Sequence, residues 1–241
     1  MWKTKFGHCI YTSSSGFQVF ENPGYRWLTL GSSALQTVIN KRKPYKPILR
    51  YLPSLSLMTR HYPENCCVLG LGGGGIAHML FHNNPNQPIT AVECSEEIIQ
   101  IAKQFFMVQR LTNLKIIHQN AEDFLQEKNF EYKHLIVDLY DAHHFPQECA
   151  TDDFFNSCRN SLKEDGFLAV NLANYKEQWA LVQTIKQHFT ATIIIPVKHC
   201  ANLIVIASRN SSKEILMDSI VATKEIKKLV WTHSWGLVGE Y

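Results

Sequence analysis

From residue 64 onward, short apolar runs alternate with longer stretches in which apolar positions recur every three or four residues. The runs fall at 66–72, 89–94, 114–119, 134–139 and 167–172, and the periodic stretches at 76–82, 96–108, 121–126, 152–162 and 175–188. Near-continuous apolar runs fit strands covered on both faces, and the longer period fits helices laid across them. Strands alternating with helices imply parallel pairing through right-handed crossovers, hence a doubly wound α/β sheet. Two further apolar runs, 192–197 and 203–207, are separated only by 198–202. That gap is too short for a crossover helix, so the pair is predicted as an antiparallel hairpin at the sheet edge. The expected fold is a mostly parallel, seven-stranded sheet with an antiparallel final strand.

The ends of the chain read differently. Runs at 17–21 and 26–30 flank Asn22-Pro23-Gly24, a turn composition, and predict a small β-hairpin unit packed on the main domain and able to close over its site. Residues 212–228 carry helical periodicity, and Trp231 and Trp235 follow as an aromatic tail. The expected organisation is a small β unit over 1–60, the main α/β domain over 61–211, and a C-terminal helix and tail over 212–241. Ser95 before Glu96 and Glu97, and Thr151 before Asp152 and Asp153, predict capped helix starts. Asp165-Gly166 predicts a helix stop.

Composition narrows the class. The chain has 241 residues, 45% hydrophobic and 19% charged, which suits one domain of ordinary core size with a small appendage. A net charge of +3 carries no nucleic-acid footprint, and Lys41-Arg42-Lys43 reads as a solvated loop. Nothing approaches the ~18 apolar residues of a membrane span, and residues 2–11 show no secretory pattern. The seven cysteines lack C-x-x-C spacing, so a reduced, cytoplasmic setting is expected. His143 and His144 are adjacent and diverge, and no metal is expected.

The chemistry concentrates where strands end. Val68-Leu69 feeds into Gly70-Leu71-Gly72-Gly73-Gly74-Gly75, and a helical pattern follows. Such a turn lets Gly70, Gly72, Gly73 and Gly74 lie against a ligand and aims a helix N-terminus at it. The next strand ends in Glu93, placed to accept the two hydroxyls of a ribose. The pairing points to a nucleoside-bearing cofactor, either a nicotinamide dinucleotide or an S-adenosyl sulfonium. The fourth strand ends Asp138-Leu139-Tyr140-Asp141, putting two carboxylates over the ligand crevice. Alkyl transfer from a sulfonium to an amine uses such a group to orient the amine and accept its proton, whereas hydride transfer has no general need of it. Asn120 ends the third strand, suited both to capping a helix and, with Ala121, to reaching an adenine edge. Tyr140 and Phe145 flank the acid pair as pocket walls or as ordinary packing.

These motifs, in this order, resemble the polyamine aminopropyltransferases, the spermidine synthase family, built on the class I S-adenosylmethionine methyltransferase fold. Ser15-Gly16-Phe17-Gln18 is similar to the family's S-x-Y-Q, and the stretch from Leu30 to Gln36 to its L-D-G-x-x-Q. Phe154-Phe155 through Leu162-Lys163-Glu164-Asp165-Gly166 resembles F-Y…L-K-E-D-G, and Val170-Asn171-Leu172 resembles a motif of a short bacterial branch. The resemblance implies that Gln18 and Glu93 contact the donor nucleoside, that Asn120 sits near adenine, that Asp138 activates the amine, and that Asp141 partners it. Three departures stand out: Gly74 or Gly75 fills the slot of the acid in G-G-G-D-G, Pro47 replaces the Glu of Y-x-E, and T-x-P-T-Y-P has no counterpart near Pro196.

The expected protein is a spermidine synthase-like transferase. It would take S-adenosylmethionine or its decarboxylated form as co-substrate and pass a methyl or aminopropyl group to a small amine, with a polyamine as the family's acceptor. The alternatives are a methyltransferase of other substrate, a degenerate nucleoside-binding module using Trp231, Trp235 and the C-terminal helix as a homodimer interface, and an NAD-dependent oxidoreductase.

Overall fold

The computed structural model describes residues 2–30, 35–127, 131–140, 145–173 and 175–240. The first element is an antiparallel four-stranded meander, β1 (His8–Thr12), β2 (Phe17–Glu21), β3 (Tyr25–Leu30) and β4 (Leu35–Asn40), in sequential order. The predicted hairpin is thus the centre of a larger sheet. Its turn is built as the composition suggests: Asn22 Oδ1 accepts hydrogen bonds from the amides of Gly24 and Tyr25, at 3.0 and 2.8 Å. Two short helices, α1 (Leu52–Leu55) and α2 (Leu57–His61), lead into the main sheet.

That sheet alternates as expected: β5 (Cys66–Leu69), α3 (Gly75–Asn83), β6 (Ile89–Glu93), α4 (Glu96–Phe105), β7 (Leu114–His118), α5 (Ala121–Gln126), β8 (Tyr132–Val137), α6 (Asp152–Asn160), β9 (Leu162–Ala173), α7 (Trp179–His188), β10 (Ala191–Pro196) and β11 (Asn202–Ser208). Strands β5 to β9 pair in parallel, and β11 runs antiparallel between β9 and β10. The caps form as read: the hydroxyls of Ser95 and Thr151 accept from the amides of Ile98 and Phe154. Every residue of β8 is buried, as a strand covered on both faces requires.

Three expectations change. Helix α6 stops at Asn160, not near Gly166, and Gly166 instead lies in a bulge of β9. Between the pairs Tyr132–Leu162 and His134–Phe167, β9 carries extra residues, and a Cβ on Gly166 would sit 2.8 Å from the Lys163 carbonyl oxygen. Helix α8 (Lys213–Ala222) ends before Lys228, and the aromatic tail is a hairpin, β12 (Lys228–Thr232) and β13 (Gly236–Glu240). Strand β13 pairs in parallel with β10, so the β10–β11 hairpin is internal and the sheet has nine strands: the seven expected plus two. Among the described residues no helix is long and apolar enough to cross a membrane.

The meander docks on the main domain through one face. Val19, Leu28 and Ile39 are buried against Ile98 and Ile101 of α4 and against Phe106. Arg26 completes the contact by donating from Nη1 to the Phe105 carbonyl oxygen at 2.5 Å, while Glu21 holds its other nitrogens.

From β5 the chain winds outward through β6 and β7, and β8 then returns beside β5 and starts the other half. The switch point lies between the ends of β5 and β8, where open α/β sheets form a crevice. There Asp138 N donates to Leu69 O at 2.9 Å, and Gly70 has φ +94°. A Cβ on Gly70 would lie 2.4 Å from the Asp138 carbonyl oxygen. The Gly70→Ala variant is therefore expected to lose about 2 kcal/mol or more, a drop of at least ~4 °C in melting midpoint. Gly16→Ala, at φ +88° but with open space around it, is the comparison and should cost less. Equal midpoints in thermal denaturation would refute the contact.

Candidate active site

A cavity of about 600 Å³ opens at the switch point. Its walls come from the glycine turn, the ends of β6, β8 and β9, the 49–52 segment, and part of the meander. Gly70, Gly72 and Gly74 line it; Gly73 does not. Instead Gly73 is pinned from behind, its amide donating to Thr37 Oγ1 of β4 at 2.8 Å, and a Cβ there would lie 2.5 Å from Thr37 Cγ2. The meander therefore holds the turn in place. Gly74, in the left-handed conformation, caps α3.

Glu93 stands at the end of β6 and lines the cavity. Its Oε2 accepts from Leu71 N at 3.0 Å and its Oε1 from Ser95 N at 3.1 Å. Two backbone amides thus aim the carboxylate, and each oxygen keeps acceptor capacity for a hydroxyl. Asn120 caps α5, its Oδ1 accepting from Glu122 N at 2.8 Å, and it lines the cavity together with Ala121. The capping bond uses the oxygen, so the amide nitrogen is the group Asn120 has left to donate.

Asp138 lies just past β8, on the other side of β5 from Glu93. Its Oδ1 accepts from Asn171 Nδ2 at 2.8 Å and its Oδ2 from the Tyr51 hydroxyl at 3.2 Å. Asn202 Nδ2 in turn donates to Asn171 Oδ1 at 2.9 Å. Burial pushes the pKa of Asp138 up to about 6, the hydrogen bonds from Asn171 and Tyr51 pulling the other way. Tyr51 is held well above its ordinary pKa of 10, first by burial and then by the charge of Asp138, so it remains a donor. The result is a carboxylate that is ionised at neutral pH, fixed by two neutral donors, and basic enough to take a proton.

Of the residues expected at the site, Gly70, Gly72, Gly74, Glu93, Asn120, Ala121, Asp138 and Tyr140 share this cavity. Gln18 does not. Side chains alternate along β2: Phe17 lines the main cavity, while Gln18 lines a smaller depression with Thr4, Phe20 and Trp27. Gln36, from the second matched motif, lines the main cavity instead. Phe145 packs in the core, stacked on Phe155 at a centroid distance of 6.2 Å. Asp141, His143 and His144 lie outside the described residues, as do positions 31–34 of the motif ending at Gln36. Tyr51 and Asn202 carried no local signal in the sequence. Asn171 did, within Val170-Asn171-Leu172, but without an assigned role.

A switch-point cavity with a glycine turn, an acid ending β6 and a half-buried acid just past β8, on a parallel sheet continued by an antiparallel β11, is the arrangement of a methyltransferase-type α/β fold. Comparison with known proteins agrees. A human methyltransferase-like protein 13 in complex with SAH superposes with a TM-score of 0.63 at 17% identity, covering 73% of this chain and 91% of that one. A spermidine synthase in complex with the transition-state analogue AdoDATO gives a TM-score of 0.68 at 18% identity, over 85% of this chain and 75% of that one. A polyamine aminopropyltransferase of Neisseria meningitidis serogroup A is 25% identical over 217 residues, 86% of this chain and 82% of its own. The spermine/spermidine synthase domain matches over residues 46–222. The chain belongs to the spermine/spermidine synthase family and is a transferase.

Glu93→Ala is expected to weaken methylthioadenosine binding by about 1–3 kcal/mol, because the variant strands the ribose hydroxyls and frees two amides. Glu93→Gln, which keeps one carbonyl acceptor, should lose less. Isothermal calorimetry checks both, and an unchanged Kd in Glu93→Ala would remove the ribose role.

Proposed function

We propose that the protein transfers an aminopropyl group from decarboxylated S-adenosylmethionine to a small amine of the polyamine class. The observation that carries this reading is that Asp138, basic and held by Tyr51 and Asn171, opens onto the same cavity as the glycine turn and Glu93. In this reading Glu93 grips the ribose, Asn120 and Ala121 border the adenine, and the sulfonium lies toward Asp138. The acceptor amine attacks the carbon attached to sulfur. A C–N bond forms as the C–S bond breaks, the electron pair of that bond returns to sulfur, and methylthioadenosine leaves. Asp138 orients the amine and takes the proton it loses. Holding donor and nucleophile in line can supply roughly 7–11 kcal/mol of the barrier, and the base a further factor of about 10² to 10⁴. Tyr140 lines the wall beside Asp138, and Asp141 is the further acid proposed for the acceptor. The free state of all seven cysteines supports a reduced, cytoplasmic setting.

A second reading, methyl transfer from S-adenosylmethionine, is favoured by one feature: residues 72–76 offer no acid for the aminopropyl end of a decarboxylated donor. One assay separates the two. Each donor is incubated with a panel of amines and the nucleoside product is identified by chromatography. Methylthioadenosine is the expected product. S-adenosylhomocysteine from the intact donor would replace the first reading by the second, and neither product with any amine would overturn both.

The rate is expected to follow the ionised form of Asp138. It should fall as pH drops through about 6, where the carboxyl protonates, and level off above neutrality. Tyr51→Phe removes one bond that stabilises the carboxylate, so its acid limb should move to higher pH. Asp138→Asn should keep methylthioadenosine affinity and lose turnover by about 10²-fold or more. Full activity in Asp138→Asn, measured from pH 5 to 8, would dismiss Asp138 as the base.

A further inference from the structure

Among the described residues, the charged ones lining the cavity are Arg50, Glu93, Asp138 and Glu148, and they fall into two groups. Glu93 is bonded to the amide of Leu71 in the glycine turn, and Glu148 acts electrostatically on Cys94, next to Glu93, and on Cys149. Both acids therefore belong to the nucleoside end. Arg50 belongs to the other. It precedes Tyr51, whose hydroxyl bonds Asp138, and its positive charge reaches Cys200. Cys200, Ala201 and Asn202 line the cavity there, and Asn202 leads through Asn171 back to Asp138. Among the described residues no carboxylate stands within ion-pair distance of Arg50. Among the described residues this end of the cavity thus presents one fixed acid, Asp138, and one guanidinium without an acidic partner, that of the exposed Arg50.

A plain diamine, cationic at both ends, matches Asp138 but meets like charge at Arg50. A guanidinium fork fits a carboxylate through two parallel hydrogen bonds. We propose that this end of the cavity receives a group bearing both an amine and a carboxylate, with Asp138 facing the amine and Arg50 the carboxylate. The proposal rests on the transferase reading: a carboxylate on the acceptor narrows the amine of the first form, and a carboxylate on the donor selects the second form, methyl transfer. Two molecules bring such a group: an intact S-adenosylmethionine, through its amino-acid tail, or an acceptor that is itself an amino acid. Both share one recognition chemistry, and substitution of Arg50 tells them apart.

The test uses the full chain as wild type, Arg50→Gln and Arg50→Lys. Calorimetry measures S-adenosylmethionine, its decarboxylated form and methylthioadenosine. Steady-state transfer compares 4-aminobutanoate with 1,4-diaminobutane. If the carboxylate comes from the donor, Arg50→Gln weakens S-adenosylmethionine by about 10- to 100-fold and leaves the decarboxylated donor within about twofold. If it comes from the acceptor, both donors bind as before, and kcat/KM for 4-aminobutanoate falls by the same factor relative to the diamine. Arg50→Lys, which keeps charge but not the fork, should lie between. Methylthioadenosine carries neither group and reports an intact nucleoside end. The proposal is overturned if methylthioadenosine binds and transfer proceeds, yet Arg50→Gln changes neither the ratio of the two donor affinities nor the ratio of the two amines. Failure of the transferase reading looks different: wild type then binds none of the three nucleosides, and both inferences fall.

Discussion

The close approach of Gly70 to Asp138 is the constraint on which the site is built. Two parallel strands whose connections lead to opposite halves of the sheet end side by side, with the first turning at once to open the cavity. Leu69 and Val137 are paired partners, the amide of Asp138 bonds the Leu69 carbonyl, and the next residue of the first strand has no room for a side chain. Glycine at 70 lets the chain turn while the backbone of Asp138 passes against it. The same contact that allows the glycine turn therefore fixes where Asp138 stands. A shift of either strand by one residue would carry Asp138 to the opposite face of the sheet.

Asp138 illustrates how competing effects set a working pKa. Burial alone would drive the carboxyl far toward its neutral form. Hydrogen bonds from Tyr51 and Asn171 favour the charged form and bring the balance to about 6. Both donors are neutral, so they hold the anion without neutralising it as a lysine or arginine would. Asn202 then satisfies the oxygen of Asn171, which keeps that amide turned toward the acid. The acid at the other end, Glu93, is held differently, by backbone amides at the mouth of the turn. One carboxylate is half-buried and held by two neutral side-chain donors, and the other is anchored by the backbone.

The N-terminal meander helps to form the cavity. Thr37 of β4 holds Gly73 from behind, Gln36 and Phe17 line the cavity, and the segment following β4 supplies Arg50 and Tyr51. The meander is in turn fixed by apolar packing on α4 and by Arg26 on the end of that helix. The main domain thus supplies the glycine turn and both acids, while the N-terminal part supplies a wall of the cavity and the Tyr51 donor to Asp138.

Local physics was legible in the chain itself. The period of apolar positions located the central strands and helices, Ser95, Asn120 and Thr151 announced their caps, and the glycine turn, Glu93 and Asp138 could be placed because each sits at the end of its own strand. Where the reading stopped at Gly166, a glycine suited equally to a helix stop and a bulge was decided by pairing between β8 and β9. The C-terminal hairpin escaped because short strands with one exposed face carry little periodic signal, and only the open edge of β10 gives them a partner. Gln18 and Phe17 are neighbours in every motif, yet which of them faces the cavity depends on how the meander sits on α4. The Arg50-Tyr51 pair, Asn171 and Asn202 come from three distant parts of the chain. Their juxtaposition is a product of strand order and register, and a pattern along one dimension holds no record of distances across the sheet.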